Sequence, residues 1–228
     1  MDLAGLVFDL DDTLYLERDY VRSGFAHVAR LVEARCGRCQ GEIFAFLWDL
    51  FSRGERGHTF DRLRESYPDV ARHFRVGDLV ESYRSHPPAI SLLPAAAQLL
   101  EACRRRGVRV GLLSDGPLPA QQAKVRALGL DRFLDPIVLT DAWGREFWKP
   151  HPRGYQLFSE RWGLAPRQLA YVGDNPCKDF LAPRRRGWRS ALLRLPGQLH
   201  HAVLPPDDEH AAEVELAGWD ELRRWGRL

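Results

Sequence analysis

No apolar run in this 228-residue chain approaches the roughly 18 residues that a membrane-crossing helix requires. Neither sign of charge dominates: 33 Lys and Arg face 31 Asp and Glu, a net charge of +2. That is too little for a nucleic-acid footprint, so neither nucleic acid nor membrane is expected as a partner. The arginine triplets at 104–106 and 184–186 each close a predicted helix, where cations suit the helix dipole. Cysteine is scarce, at four residues. Cys36 and Cys39 have C-x-x-C spacing, but no second ligand pair follows for zinc and no βαβ context for redox chemistry, so the thiols are read as structural. Asp2 opens the chain with no basic region ahead of a long apolar segment, which argues against a signal peptide and for a cytoplasmic protein. Repeats and low-complexity segments are missing too. The composition that is left, 45% hydrophobic and 28% charged, is that of an ordinary globular protein. Its length allows one sizeable core, or a core with a modest insert.

The most informative stretch is residues 5–15. Leu6, Val7 and Phe8 form a short apolar run that stops on Asp9-Leu10-Asp11-Asp12-Thr13. Such a run reads as a strand buried on both faces. Asp9 and Asp11 are two apart, so an extended segment points both to one side. Crowded carboxylates repel unless a cation is present or one of them is protonated. An acidic turn that caps the next helix is the plain alternative.

After Tyr15 the periodicity becomes helical. Tyr20, Val21, Phe25, Val28, Leu31 and Val32 make one face, which Gly37 ends. Ile43, Phe44, Phe46, Leu47, Leu50 and Phe51 make a second. Phe60, Leu63 and Tyr67 predict a third helix, and Val80 and Tyr83 a fourth. Residues 16–86 are therefore predicted to be a helical insert, between 1–15 and 87–228. From Leu93 onward strands and helices alternate, with strands ending at Leu113, Thr140, Val172 and Leu193 and a further one at 213–216. Pro183 is expected to interrupt the short helix around it. This alternation predicts α/β architecture, with a parallel Rossmann-like sheet joined by right-handed crossovers.

Four polar clusters fall at comparable points: Asp9 to Thr13, Ser114-Asp115-Gly116, Lys149-Pro150, and Gly173-Asp174 with Asp179 five residues on. Strand ends of a parallel sheet converge on one edge, where such folds bind ligands. Asp9, Asp174 and Asp179 are hard oxygen ligands that suit Mg²⁺. A phosphate monoester would need shielding before a carboxylate could approach it, and Mg²⁺ with Lys149 could supply that charge. Asp9 could then attack phosphorus. Asp11, if protonated, could serve the leaving alkoxide, and once ionised could activate water. Ser114 and the adjacent backbone N–H groups could hold the phosphoryl oxygens.

On these four motifs the chain resembles the haloacid dehalogenase-like hydrolase superfamily, in its phosphatase branch with a helical cap after the first motif. The resemblance implies a Rossmann-like core with Asp9 on the central strand. It implies Mg²⁺ held by Asp9, the Asp11 carbonyl and Asp174, with Asp179 beside the metal's waters. It implies Asp9, Asp11, Ser114 and Lys149 as the catalytic set, with Ser114, Asp115 and Gly116 binding a small phosphate ester. The cap would close over the site and choose the ester; independently of the resemblance, Arg53 and Arg56 of the arginine-rich loop at 52–58 are the candidate contacts. Dehalogenase members lack the second acid and the metal, so Asp11 and the Asp174–Asp179 pair argue against that reaction. Residues 16–85 hold no lysine, which disfavours Schiff-base chemistry. A sugar-phosphate mutase and a catalytically idle binding protein are the alternatives.

Overall fold

The computed structural model describes residues 3–228. Met1 and Asp2, which carry the expectation about the chain's start, lie outside the described residues. The chain divides into two compact units, Met1–Arg18 with Ser91–Leu228, and Asp19–Ile90.

The first unit is built on strand β1, Gly5–Phe8. Leu6, Val7 and Phe8 are all fully buried, as a strand covered on both faces demands. In the second unit and the turn that leads into it, the helices are α1 (Glu17–Cys36), α2 (Gln40–Ser52), α3 (Thr59–Ser66), α4 (Pro68–His73) and α5 (Val76–Ser85). The periodicity predicted four helices here, with Tyr67 inside the third. The structure ends α3 at Ser66, places Tyr67 in an extended conformation (φ −129°, ψ 88°) and starts α4 at Pro68. A residue before proline is disfavoured from helical geometry, whereas proline itself suits a helix's first position. The unit's aromatic core joins Phe25 to Phe51, Phe60 and Tyr83, with ring centroids 5.7–6.3 Å apart. Its thiols Cys36 and Cys39 are free.

The chain then alternates through α6 (Pro94–Arg105), β2 (Arg109–Ser114), α7 (Leu118–Leu128), β3 (Ile137–Leu139), α8 (Arg153–Trp162), β4 (Leu169–Gly173), α9 (Leu181–Arg185), β5 (Arg189–Leu193), β6 (Val214–Leu216) and α10 (Trp219–Gly226). The six strands form one sheet in the order β3-β2-β1-β4-β5-β6, and every pairing is parallel. The α/β expectation is met. On one face Tyr155, Phe158 and Trp162 of α8 pack with Val7, Leu113 and Tyr171. Pro183 does not break α9. It sits in the first turn, where its missing N–H would have had no helical partner. No helix among the described residues is long and apolar enough to cross a membrane.

The register matters most for function. Phe8 pairs with Leu112 and with Val172, so β1, β2 and β4 end within two residues of one another. Asp9, Ser114 with Asp115, and Gly173 with Asp174 consequently emerge at one sheet edge, from the middle of the sheet.

Candidate active site

The ends of β1 and β4, with the loop that leads from β4 to α9, deliver three carboxylates to one point. Asp9, Asp174 and Asp179 are all buried, and one oxygen of each lies within 4.8 Å of the others. Lys149 answers two of them. Its Nζ donates to Asp9 Oδ1 at 2.7 Å, to Asp179 Oδ1 at 2.8 Å and to the Tyr171 hydroxyl at 2.8 Å. Tyr171 in turn donates to the Leu113 carbonyl at 3.2 Å. Burial opposes the charge on Lys149, but Asp179 and Asp9 outweigh it and hold its pKa well above the ordinary lysine value. Lys178 adds a second ammonium: burial and Lys149 oppose its charge, while Asp9 and Asp179 raise its pKa.

One lysine does not satisfy three acids. Burial raises the pKa of Asp9, with Lys149 offsetting part of the effect and Asp179 adding to it. Asp174 is pushed well above the usual carboxylate range by burial, Asp179 and Asp9. Its Oδ2 is buried with no hydrogen-bond partner among the described residues. Three hard oxygen donors, one of them orphaned, suit a small divalent cation.

Asp179 is pinned on every side. It is fully buried, its Oδ2 accepts from the Asn175 N–H at 3.0 Å, and its carbonyl accepts from Tyr155 at 3.1 Å. Gly173 makes room for it. A Cβ on Gly173 would overlap Asp179 Oδ2 and stand 2.9 Å from its Cγ. Gly173→Ala is therefore expected to cost about 1–3 kcal/mol of stability from overpacking, and to lower activity with it. Chemical denaturation of the two proteins measures the first effect.

Asp11 stands outside the carboxylate triad and has its own partners. Lys124 Nζ donates to Oδ1 at 2.7 Å, and Gln121 Nε2 donates to Oδ2 at 2.9 Å. The Tyr15 hydroxyl donates to Oδ1 as well. Burial raises the pKa of Asp11, but Lys124, Tyr15 and Gln121 more than offset it, and the net direction is down. The acid role read from the sequence is conditional on a proton at Asp11, and the resting site works against that proton. A neighbouring ammonium holds it ionised, the form that accepts a proton.

Ser114 is 1% exposed, and its Oγ accepts from Gln121 Nε2 at 2.8 Å. Asp115, expected to bind substrate, directs its carboxylate inward. It accepts from Thr140 Oγ1 at 2.7 Å and from the Lys149 N–H at 3.1 Å, which ties β2 to the segment that carries Lys149. Gly116 has φ 126°, a conformation that a side chain disfavours. Arg53 and Arg56 belong to the helical unit. Arg53 pairs with Asp49 at 2.9 Å, while Arg56 donates to the Phe51 and Glu55 carbonyls and lies over the Phe51 ring.

Several residues of the site were not foreseen. Gln121, Lys124, Tyr15, Tyr171 and Lys178 are among them. Asp12 meets the capping alternative in part: with φ 53°, its carboxylate accepts from the Glu17 N–H at 2.8 Å at the start of α1, and also from the Leu199 N–H at 2.6 Å, which was not foreseen. Burial raises its pKa to about 6 against those two N–H groups. Gln198 completes the clasp by donating to the Asp12 carbonyl at 2.6 Å. Gln121 and Lys124 share one helix face, but nothing in the sequence marks that face as buried.

Known proteins match this arrangement. The family model of haloacid dehalogenase-like hydrolases matches residues 3–185. A glyceraldehyde 3-phosphate phosphatase of Methanothermobacter thermautotrophicus is 27% identical over 212 residues, covering 84% of this chain and 85% of its own. The (S)-2-haloacid dehalogenase 4A of Burkholderia cepacia is 36% identical over 176 residues, covering 76% of this chain and 75% of its own. Among solved structures, the hydrolase YfnB from Bacillus subtilis superposes with a TM-score of 0.64 at 17% identity, covering the whole of both chains. The family match spans well over half the chain, and the chain belongs to the haloacid dehalogenase-like hydrolases.

Proposed function

We propose that the protein is a Mg²⁺-dependent phosphatase of small phosphate monoesters, acting through an aspartyl-phosphate on Asp9. One observation carries the reading: the strand ends hold two separate acidic groups, the buried triad of Asp9, Asp174 and Asp179, and Asp11 with a lysine of its own. Displacement of halide from a haloacid needs one carboxylate nucleophile and no proton for the leaving group. The relative at 36% identity is a dehalogenase, so the distinction matters. The glyceraldehyde 3-phosphate phosphatase, which aligns over more of this chain, supports the ester.

Asp9, Asp174 and Asp179 would hold the Mg²⁺, whose charge would offset that of the phosphoryl group. Lys149 orients Asp9 through Oδ1 and adds a fixed positive charge in a buried site. An Asp9 oxygen forms a bond to phosphorus as the ester P–O bond breaks. The departing alkoxide takes a proton from Asp11, which, ionised in the resting site, first takes that proton from solvent water. Water then attacks the same phosphorus, Asp11 takes its proton, and phosphate leaves with Asp9 restored. Ser114 would donate its hydroxyl hydrogen to a phosphoryl oxygen.

The test is hydrolysis of p-nitrophenyl phosphate. A chelator should abolish it and Mg²⁺ should restore it. Turnover that survived exhaustive chelation would remove the metal from the reading. Release of halide from a 2-haloacid, without ester hydrolysis, would replace the reading altogether.

A further inference from the structure

Helix α7 presents two buried polar side chains that the reaction above does not use. Gln121 is 1% exposed and Lys124 is 6% exposed, an uncommon depth for either type. They are three residues apart and so share a helix face. Lys124 Nζ takes one Asp11 oxygen at 2.7 Å, and Gln121 Nε2 takes the other at 2.9 Å. The same Gln121 nitrogen lies 2.8 Å from Ser114 Oγ and 2.5 Å from the Asp115 carbonyl. One carboxamide thus spans the acid of the first motif and the hydroxyl of the second, which lie more than 100 residues apart in sequence. Its Oε1 is buried with no partner among the described residues, so all of the group's bonding runs through the nitrogen.

From this geometry we infer that Gln121 and Lys124 are positioning residues, which fix Asp11 against the Ser114 hydroxyl so that one carboxylate can serve both halves of the reaction. The inference rests on the phosphatase reading. With both Asp11 oxygens tied to a single helix, the carboxylate cannot rotate about its Cβ–Cγ bond without breaking one tie. That fixes its lone pairs toward the leaving oxygen in the first half and toward water in the second. A charged or amide side chain that served only packing would not need to meet both oxygens.

The two halves are separable kinetically. kcat/KM reports events through ester cleavage, and kcat also includes hydrolysis of the acyl phosphate. p-Nitrophenolate departs without protonation, whereas an alkoxide does not. On p-nitrophenyl phosphate, Lys124→Met and Gln121→Leu should lower kcat roughly 10- to 100-fold with kcat/KM nearly unchanged. KM should fall in proportion, and a nitrophenolate burst should appear. On an alkyl phosphate such as glycerol phosphate, kcat/KM should fall by a similar factor too. Asp11→Asn should show the same pattern, and adding Lys124→Met to it should change little further. Lys124→Arg, which keeps a cation, should recover part of the loss. Should Lys124→Met fail to fold in a melting experiment, Gln121→Leu, which removes no charge, carries the same prediction.

Equal losses of kcat/KM on both esters, or full additivity with Asp11→Asn, would overturn the inference and leave the phosphatase reading standing. A parent protein that hydrolysed neither ester would remove the reading, and the inference with it.

Discussion

Asp9→Asn is expected to lower turnover roughly 10⁴-fold or more while leaving the fold intact. The amide matches the carboxylate in size, so the end of β1 need not move. What disappears is the nucleophile: a neutral amide oxygen forms no stable bond to phosphorus. The stability readout should move the other way or not at all. Asp9 is 2% exposed, and burial together with Asp179 raises its pKa, so its charge is tolerated in the fold rather than favoured by it. A neutral side chain there leaves Lys149 with Asp179 alone and removes one of three mutually repelling acids. Steady-state assays and a thermal melt on the same preparation test both halves. A variant that kept even one-hundredth of the parent's turnover would mean that Asp9 is not the nucleophile.

Lys149→Met should be damaging in both respects. Its side chain is 1% exposed and joins Asp9 to Asp179, whose side chains are 4% and 0% exposed. Removing one partner of a buried ion pair leaves uncompensated charge, at a cost of about 3–5 kcal/mol. Here two carboxylates are stranded, with Asp174 already beside them. Catalysis should also fall, by roughly 10²–10³-fold, as for the loss of a fixed donor from a water-poor site. Lys149→Arg should not restore it, because a planar guanidinium cannot reach Asp9, Asp179 and the Tyr171 hydroxyl from one nitrogen. Urea denaturation measures the first effect and kcat/KM the second. Near-parental stability in Lys149→Met would show that the three acids do not depend on this cation.

The parts of the molecule that were legible in sequence are those whose signal is local. Leu6 to Phe8 reads as a buried strand because three apolar residues end on three acids, and the parallel sheet follows from alternation. The triad of Asp9, Asp174 and Asp179 could be named because each acid terminates, or closely follows, such a strand. The direction in which Asp115 points was not legible: a Ser-Asp-Gly turn looks the same whether its acid faces a ligand or the Lys149 N–H. The charge state of Asp11 was hidden for a different reason. It depends on Lys124, 113 residues away, and no pattern near either residue announces the other. The Asp12 clasp to Gln198 and Leu199 is longer still, at about 190 residues. Tyr67 marks an intermediate case, since the rule that ends α3 there was visible in the following proline and was outweighed by apolar spacing.

The lysines have a consequence outside catalysis. The sequence contains only Lys124, Lys149 and Lys178, with arginine at every other basic position apart from histidine. The first pairs with Asp11, the second with Asp9 and Asp179, and the third stands among the same acids. Side-chain amine chemistry in this protein is therefore confined to one corner of one unit. An acylating reagent or a reductive methylation cannot decorate its general surface through lysine, as it would in most proteins. The modification rate of each lysine would report the opening of that corner, and protection by a bound anion would be readable residue by residue in a peptide map.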